Sequence, residues 1–154
     1  MLKTLSEKLH KTQLKIQLID ALKNTNSLKL NIVVFDKTGT LTEGKPKLVS
    51  VETIGELEKN DLLQLVASLE YSSEHPIANA IVEEVVSQHI ELLPIQDFNS
   101  VTGKGITGII NSHTVAIGNL KLLESLNVET IVLKKRAEKL REDGATVILI
   151  AIDN

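Results

Sequence analysis

A chain of 154 residues has room for one domain or slightly more. With 24% charged residues and a net charge of −3, it offers neither a basic nucleic-acid-binding surface nor an acidic tail. The absence of Cys removes disulfides and thiolate metal sites and fits a reducing compartment, and 2% aromatic content without Trp argues against a reader that stacks bases.

Residues 1–24 are rich in Leu and Lys. Leu2, Leu5, Leu9, Ile16 and Ile19 recur at near-heptad spacing, which predicts an amphipathic helix packing on a domain or partner. Lys3, Lys8, Lys11 and Lys15 give that helix a second option, lying on an anionic membrane surface. The same lysines, with Glu7, interrupt any signal-peptide core. The longest apolar run, residues 147–152, is far short of the ~20 residues a spanning helix needs. The chain as it stands is expected to be soluble.

Ile32, Val33, Val34 and Phe35 form a short β-prone run that stops at a carboxylate, Asp36. Lys37, Thr38, Gly39, Thr40, Leu41 and Thr42 follow as a loop. Ligands of α/β sheets bind at strand C-termini, so Asp36 is a candidate nucleophile able to form an aspartyl-phosphate. Gly39 permits close backbone approach to a phosphate, and the Thr hydroxyls can donate to it. Asp, Thr and Gly are also ordinary turn residues, and a strand, an Asp and a turn would not separate the two readings.

Glu43, Gly44, Lys45 and Pro46 form a turn into a predicted strand from Lys47 to Thr53, the natural boundary between two units. Asn60 or Asp61 can cap a helix reaching about Tyr71, with Leu62, Leu65, Val66 and Leu69 on one face. Pro76 opens a second helix that continues to about Gln88. Short strands are expected from Phe98 to Val101, Ile106 to Ile110 and Thr114 to Ile117, the last two joined through Asn111 and Ser112. A helix from Thr130 to Glu142 is closed by Gly144, and Thr146 to Ile152 is a final buried strand.

Three small constellations lie in this second region. Ser73, Glu74, His75 and Pro76 stand at a helix start, where free backbone N–H groups attract anions. The His75 ring offers a flat face and a donor to a purine, and Glu74 can accept from an exocyclic amine. Gly103, Lys104, Gly105, Ile106, Thr107 and Gly108 match GxGxxG formally, but a dinucleotide fold needs a helix next and an acid ~20 residues on. A hairpin follows instead, so that reading is rejected; the glycines either bring a nucleotide close to the backbone or simply permit tight turns. Gly118 and Asn119 end a strand and open a helix.

The string Asp36-Lys37-Thr38-Gly39-Thr40-Leu41-Thr42 resembles the phosphorylation signature of P-type ATPases, ion pumps of the haloacid-dehalogenase-like superfamily. The order Ser-Glu-His-Pro, Gly-x-Gly, Gly-Asn downstream of it is similar to the nucleotide-binding domain of the heavy-metal-transporting branch. The resemblance runs from about Leu18 to the C-terminus. It implies an α/β (α+β) fold, an antiparallel sheet flanked by helices, with an N-terminal helix and the first strand of a phosphorylation domain. The implied divisions are a helix and linker over 1–30, the start of the phosphorylation domain over 31–46, and an ATP-binding domain over 47–154.

By the same resemblance Glu74, His75, Gly103, Gly105, Ile106, Gly118 and Asn119 would contact ATP, and Asp36 would receive its γ-phosphoryl group. Lys37 and Thr40 would line the phosphate site, and Mg²⁺ would be held by the Asp36 carboxylate and the Thr38 carbonyl. Related phosphatases carry a second Asp two positions after the first; here it is Thr38, so a long-lived phosphoenzyme is expected and a small phosphatase is disfavoured. Motifs that complete such a site in full pumps, Thr-Gly-Asp and Gly-Asp-Gly-x-Asn-Asp, do not occur in this sequence. The implied protein is a fragment, on the cytoplasmic side of a heavy-metal pump, with copper the expected cation. It would bind ATP without completing turnover alone. The alternative is a stand-alone nucleotide-binding regulatory module docking on a full pump through residues 1–24.

Overall fold

The computed structural model describes residues 29–36, 47–53 and 57–152. The predicted helix over residues 1–24 lies outside them, as do Lys37, Thr38 and Thr40. The described elements are β1 (Lys29–Asp36), β2 (Lys47–Thr53), α1 (Lys59–Glu70), α2 (Pro76–Ser87), β3 (Gln96–Val101), β4 (Gly105–Ile110), β5 (His113–Gly118), α3 (Leu120–Ser125), α4 (Ile131–Glu142) and β6 (Ala145–Ile152). The strands form a six-stranded sheet in the order β2-β1-β6-β5-β4-β3. Every pairing in it is antiparallel. The expected antiparallel sheet flanked by helices is what the chain builds.

The local chemistry explains the elements. Pro76 occupies the first turn of α2, where its missing N–H removes no helical bond. Asn111 and Ser112, at φ 50° and 66°, make the tight turn between β4 and β5; two successive positive φ values match the twist of the flanking strands. Gly144, at φ 86°, ends α4 and releases the chain into β6. Helix α1 begins earlier than Asn60, after Glu58, whose side chain makes no capping bond. Asp61 instead sits inside the first turn, where its charge still complements the helix dipole.

Two apolar layers sandwich the sheet. On one face Leu62, Leu63, Val66 and Leu69 of α1 and Ile81 and Val85 of α2 meet Ile106, Ile110, Val115, Ile117, Ile150 and Ile152. On the other, Leu122, Leu123, Leu133 and Ala137 of α3 and α4 meet Leu30, Ile32, Val34, Ala116, Val147, Leu149 and Ala151. Successive residues of β6 therefore enter opposite layers, which is why its sequence is apolar without alternation.

The predicted strand that stops at Asp36 forms as β1 and joins the same sheet as the later strands. β1 lies in the interior of the antiparallel sheet, bonded to β2 along one edge and β6 along the other. Both ladders satisfy its backbone, and Leu30, Ile32 and Val34 reach the α3–α4 layer, so the strand needs no further sheet to bury its apolar residues. A bulge between Val34 and Phe35 shifts the register with β2 just before Asp36.

Helix α4 is also tied to edge strand β2 by a fork. Arg136 Nε donates to Glu52 Oε2 at 3.0 Å and Nη2 to Oε1 at 2.5 Å. The pair is half-buried and bidentate, so Glu52→Gln should cost about 1 kcal/mol at low salt and less at high salt. Urea melts at two ionic strengths measure both the cost and its screening.

Candidate functional site

Two of the three constellations form one joint. Gly105 opens β4 directly opposite Gly118, the last residue of β5. A Cβ on Gly105 would collide with the Ile117 carbonyl oxygen, and one on Gly118 would collide with that of Lys104. Neither position admits a side chain, so the glycines are required by strand contact whether or not a ligand is bound. Asn119 stitches the joint. Its N–H donates to the Lys104 carbonyl at 2.9 Å and its Nδ2 to the Gly103 carbonyl at 2.8 Å. Its Oδ1 meanwhile accepts from the Leu122 N–H at 3.2 Å, capping α3. Ile106 lies beside this joint, but its side chain points into the α1–α2 layer and is 7% exposed. Only its backbone is on the joint.

The third constellation caps α2. His75 Nδ1 accepts from the Ile77 N–H at 3.2 Å, which leaves Nε2 as the protonated nitrogen of the neutral ring and a donor to a ligand. The His75 N–H itself donates to Ser73 Oγ at 3.2 Å. Both Glu74 and His75 are exposed.

The structure adds a residue that the sequence reading passed over. Glu70, the last residue of α1, is 6% exposed, and its Oε2 is buried with no hydrogen-bond partner. Burial holds its carboxyl above the ordinary value of 4.5, partly offset by a hydrogen bond from the Ser73 side chain. Its place is doubly unfavourable to a carboxylate, because a helix C-terminus repels negative charge and α1 has no base in its last turn. A buried acceptor left open needs an explanation. Leu62, Val66 and Glu70 follow at i, i+4 and i+8, so an acid on the apolar row of α1 was the sequence signal.

The register also fixes where Asp36 stands. Asp36 is paired with Ala145 and Gly118 with Leu149, on opposite sides of β6. Four residues of β6 and two strand spacings separate them, about 16 Å, with the glycine joint and Asp36 toward the same end of the sheet. Among the described residues no group of His, Asp and Glu could hold a metal ion. The predicted Mg²⁺ position involves Thr38, which lies outside them. No helix among the described residues is long and apolar enough to cross a membrane.

An antiparallel sheet between helical layers, with a glycine joint and a capped His-Pro helix start, is thus coupled to an aspartate-bearing strand. Residues 30–154 match the haloacid dehalogenase-like hydrolase family, and the chain belongs to it. Within that class the relatives are heavy-metal P-type ATPases. The chain is 43% identical over 136 residues to a copper-exporting P-type ATPase of Legionella pneumophila, covering 86% of this chain and 18% of that protein. It is 36% identical over 129 residues to a cadmium-transporting ATPase of Staphylococcus aureus, covering 80% and 18%. A solved zinc-transporting PIB-type ATPase in its E2.Pi state superposes with a TM-score of 0.54 at 26% identity, over 77% of this chain and 21% of that one. The chain spans less than a fifth of the length of these two curated relatives.

Proposed function

We propose that this chain is the ATP-binding and phosphorylation-loop portion of a heavy-metal P-type pump, working on the cytoplasmic side of a membrane. The observation that carries this reading is the buried, unpartnered Oε2 of Glu70, five residues before the His75 cap. An adenine amine is a fitting partner: it would donate to Glu70, while His75 Nε2 donates and Glu74 accepts at the exposed start of α2. The joint of Gly103, Gly105, Gly118 and Asn119, with the Ile106 backbone, lets a nucleotide lie against main chain without side chains intervening.

In the proposed pump Asp36 attacks the γ-phosphorus of ATP, a P–O bond to the β-phosphate breaks and ADP leaves, while Lys37, Thr38 and Thr40 line the phosphate. About 16 Å between Asp36 and the joint is on the scale of an extended nucleoside triphosphate. Mg²⁺ would be held by Asp36 and Thr38 and would offset phosphate charge. The proposed division of labour gives residues 31–46 to phosphorylation and 47–154 to nucleotide binding. Copper is the favoured cation because it is the one named for the Legionella pneumophila relative, whereas the Staphylococcus aureus relative is named for cadmium.

Calorimetric titration with ATP tests the reading. The wild-type chain should bind, His75→Gln should weaken binding at least about tenfold, and Asp36→Asn should bind as the wild type does. A wild-type chain without ATP affinity, or a His75→Gln chain with full affinity, would overturn it.

A further inference from the structure

The third glycine of the Gly-rich stretch, Gly108, has no part in the joint. It lies in the middle of β4, where Ile106, Gly108 and Ile110 share the face toward α1 and α2. The two isoleucines fill the core, and the glycine between them leaves a slot one side chain wide. Leu69 fills it. A Cβ on Gly108 would lie 2.8 Å from Leu69 Cδ1 and 3.0 Å from Ile95 Cγ2, both closer than packed carbons allow. Leu69 is fully buried, so its methyl can move aside only by displacing packed neighbours.

Leu69 immediately precedes Glu70. The rest of α1 is tethered by side-chain hydrogen bonds. Ser68 Oγ accepts from the Leu93 N–H at 2.9 Å, and Gln64 Nε2 donates to the Glu91 carbonyl at 2.7 Å. These bonds run to Leu93 and Glu91, in the segment that also brings Ile95 to the slot. The Gly108 φ is not in the left-handed region, so its backbone conformation is open to Ala, and only the Leu69 and Ile95 contacts exclude a methyl.

We propose that Gly108 is a positioning residue for nucleotide recognition: it touches no nucleotide, and acts through Leu69 to hold Glu70 at its buried depth over β4. This rests on the reading of Glu70 as a nucleotide-binding group, but the placement of Glu70 can be tested without any nucleotide.

The experiment compares the wild type, Gly108→Ala and the double variant Leu69→Ala/Gly108→Ala. Two quantities are read: ATP affinity by calorimetry, and titration of the Glu70 carboxyl by carbon-13 NMR, its resonance assigned by loss in Glu70→Gln. Gly108→Ala should weaken ATP about tenfold and bring the Glu70 titration down toward its ordinary value, because the lifted helix end admits water. Shortening Leu69 in the same chain removes the clash and should restore both. A role in packing alone would make the double variant worse than the single one. A Glu70 titration unchanged by Gly108→Ala overturns the proposal, as does a folded double variant that restores neither quantity. Should Gly108→Ala fail to fold, the double variant carries the test by itself: titration like the wild type supports the proposal, and titration near the ordinary value overturns it. Absence of ATP binding in the wild type would sink the functional reading, while the Glu70 titration would still decide the role of Gly108.

Discussion

Glu70→Gln should make the free chain more stable at neutral pH by about 1 kcal/mol, a rise of about 3 °C in Tm, while weakening ATP about tenfold. The wild-type carboxyl is buried with one oxygen unpartnered, at the helix end that disfavours negative charge. Its folded value is raised above 4.5 by that burial, so the folded chain holds a proton that the unfolded chain gives up. The contribution to stability is fully present below about pH 4.5 and is lost as pH rises through the raised folded value. Glutamine resembles the protonated acid and carries no such dependence. Urea melts of both proteins at pH 4 and pH 7.5 measure this: near-equal stabilities in acid, with the variant ahead at neutral pH. An equal gap at both pH values would mean that the carboxylate is not penalised. A more stable variant that binds ATP less well is what a group retained for binding produces.

How far the sequence could be read depended on whether the signal was local. The final strand was legible because residues 147–152 have no polar residue to place on a wet face. The β4–β5 hairpin followed from Asn111 and Ser112, and α2 from Pro76. The partners of β1 were not legible: its ladder to β6 joins residues more than a hundred positions apart, and an apolar strand carries no mark of which edge it will meet. The same holds at the site. Gly105 and Gly118 stood out one by one, but that they face each other and are stitched by Asn119 is a property of register. Glu70 was missed for another reason. An acid at a helix end reads as solvated, although its phase puts it in line with Leu62 and Val66. Ile106 shows the reverse. Strand alternation sends its side chain into the core with Ile110, and a motif read as a string of letters conceals that direction.

The joint itself yields the sharpest contrast. Gly118→Ala should cost about 3 kcal/mol, whereas Gly103→Ala should cost about 1 kcal/mol. The added methyl at 118 meets main chain, the Lys104 carbonyl oxygen and the Gly105 Cα at 2.9 Å, as well as Leu122 Cδ2 at 2.9 Å. Main chain in a paired ladder cannot step aside without opening the β4–β5 pairing and the Asn119 bonds that depend on it. Gly103 has a φ of 70°, but no atom lies within 4 Å of where an added methyl would stand, so alanine there meets only the left-handed backbone strain. Guanidinium denaturation of the two variants gives the difference directly, and a Gly118→Ala chain as stable as Gly103→Ala would show that β4 and β5 do not approach this closely. The comparison also separates packing from binding. Because Gly103→Ala leaves the joint folded, a loss of ATP affinity beyond its small stability cost is assigned to the nucleotide lying against that loop. A full-affinity Gly103→Ala chain would confine the nucleotide to Glu70, Glu74 and His75, with the glycines serving only to bring two strands and a helix together.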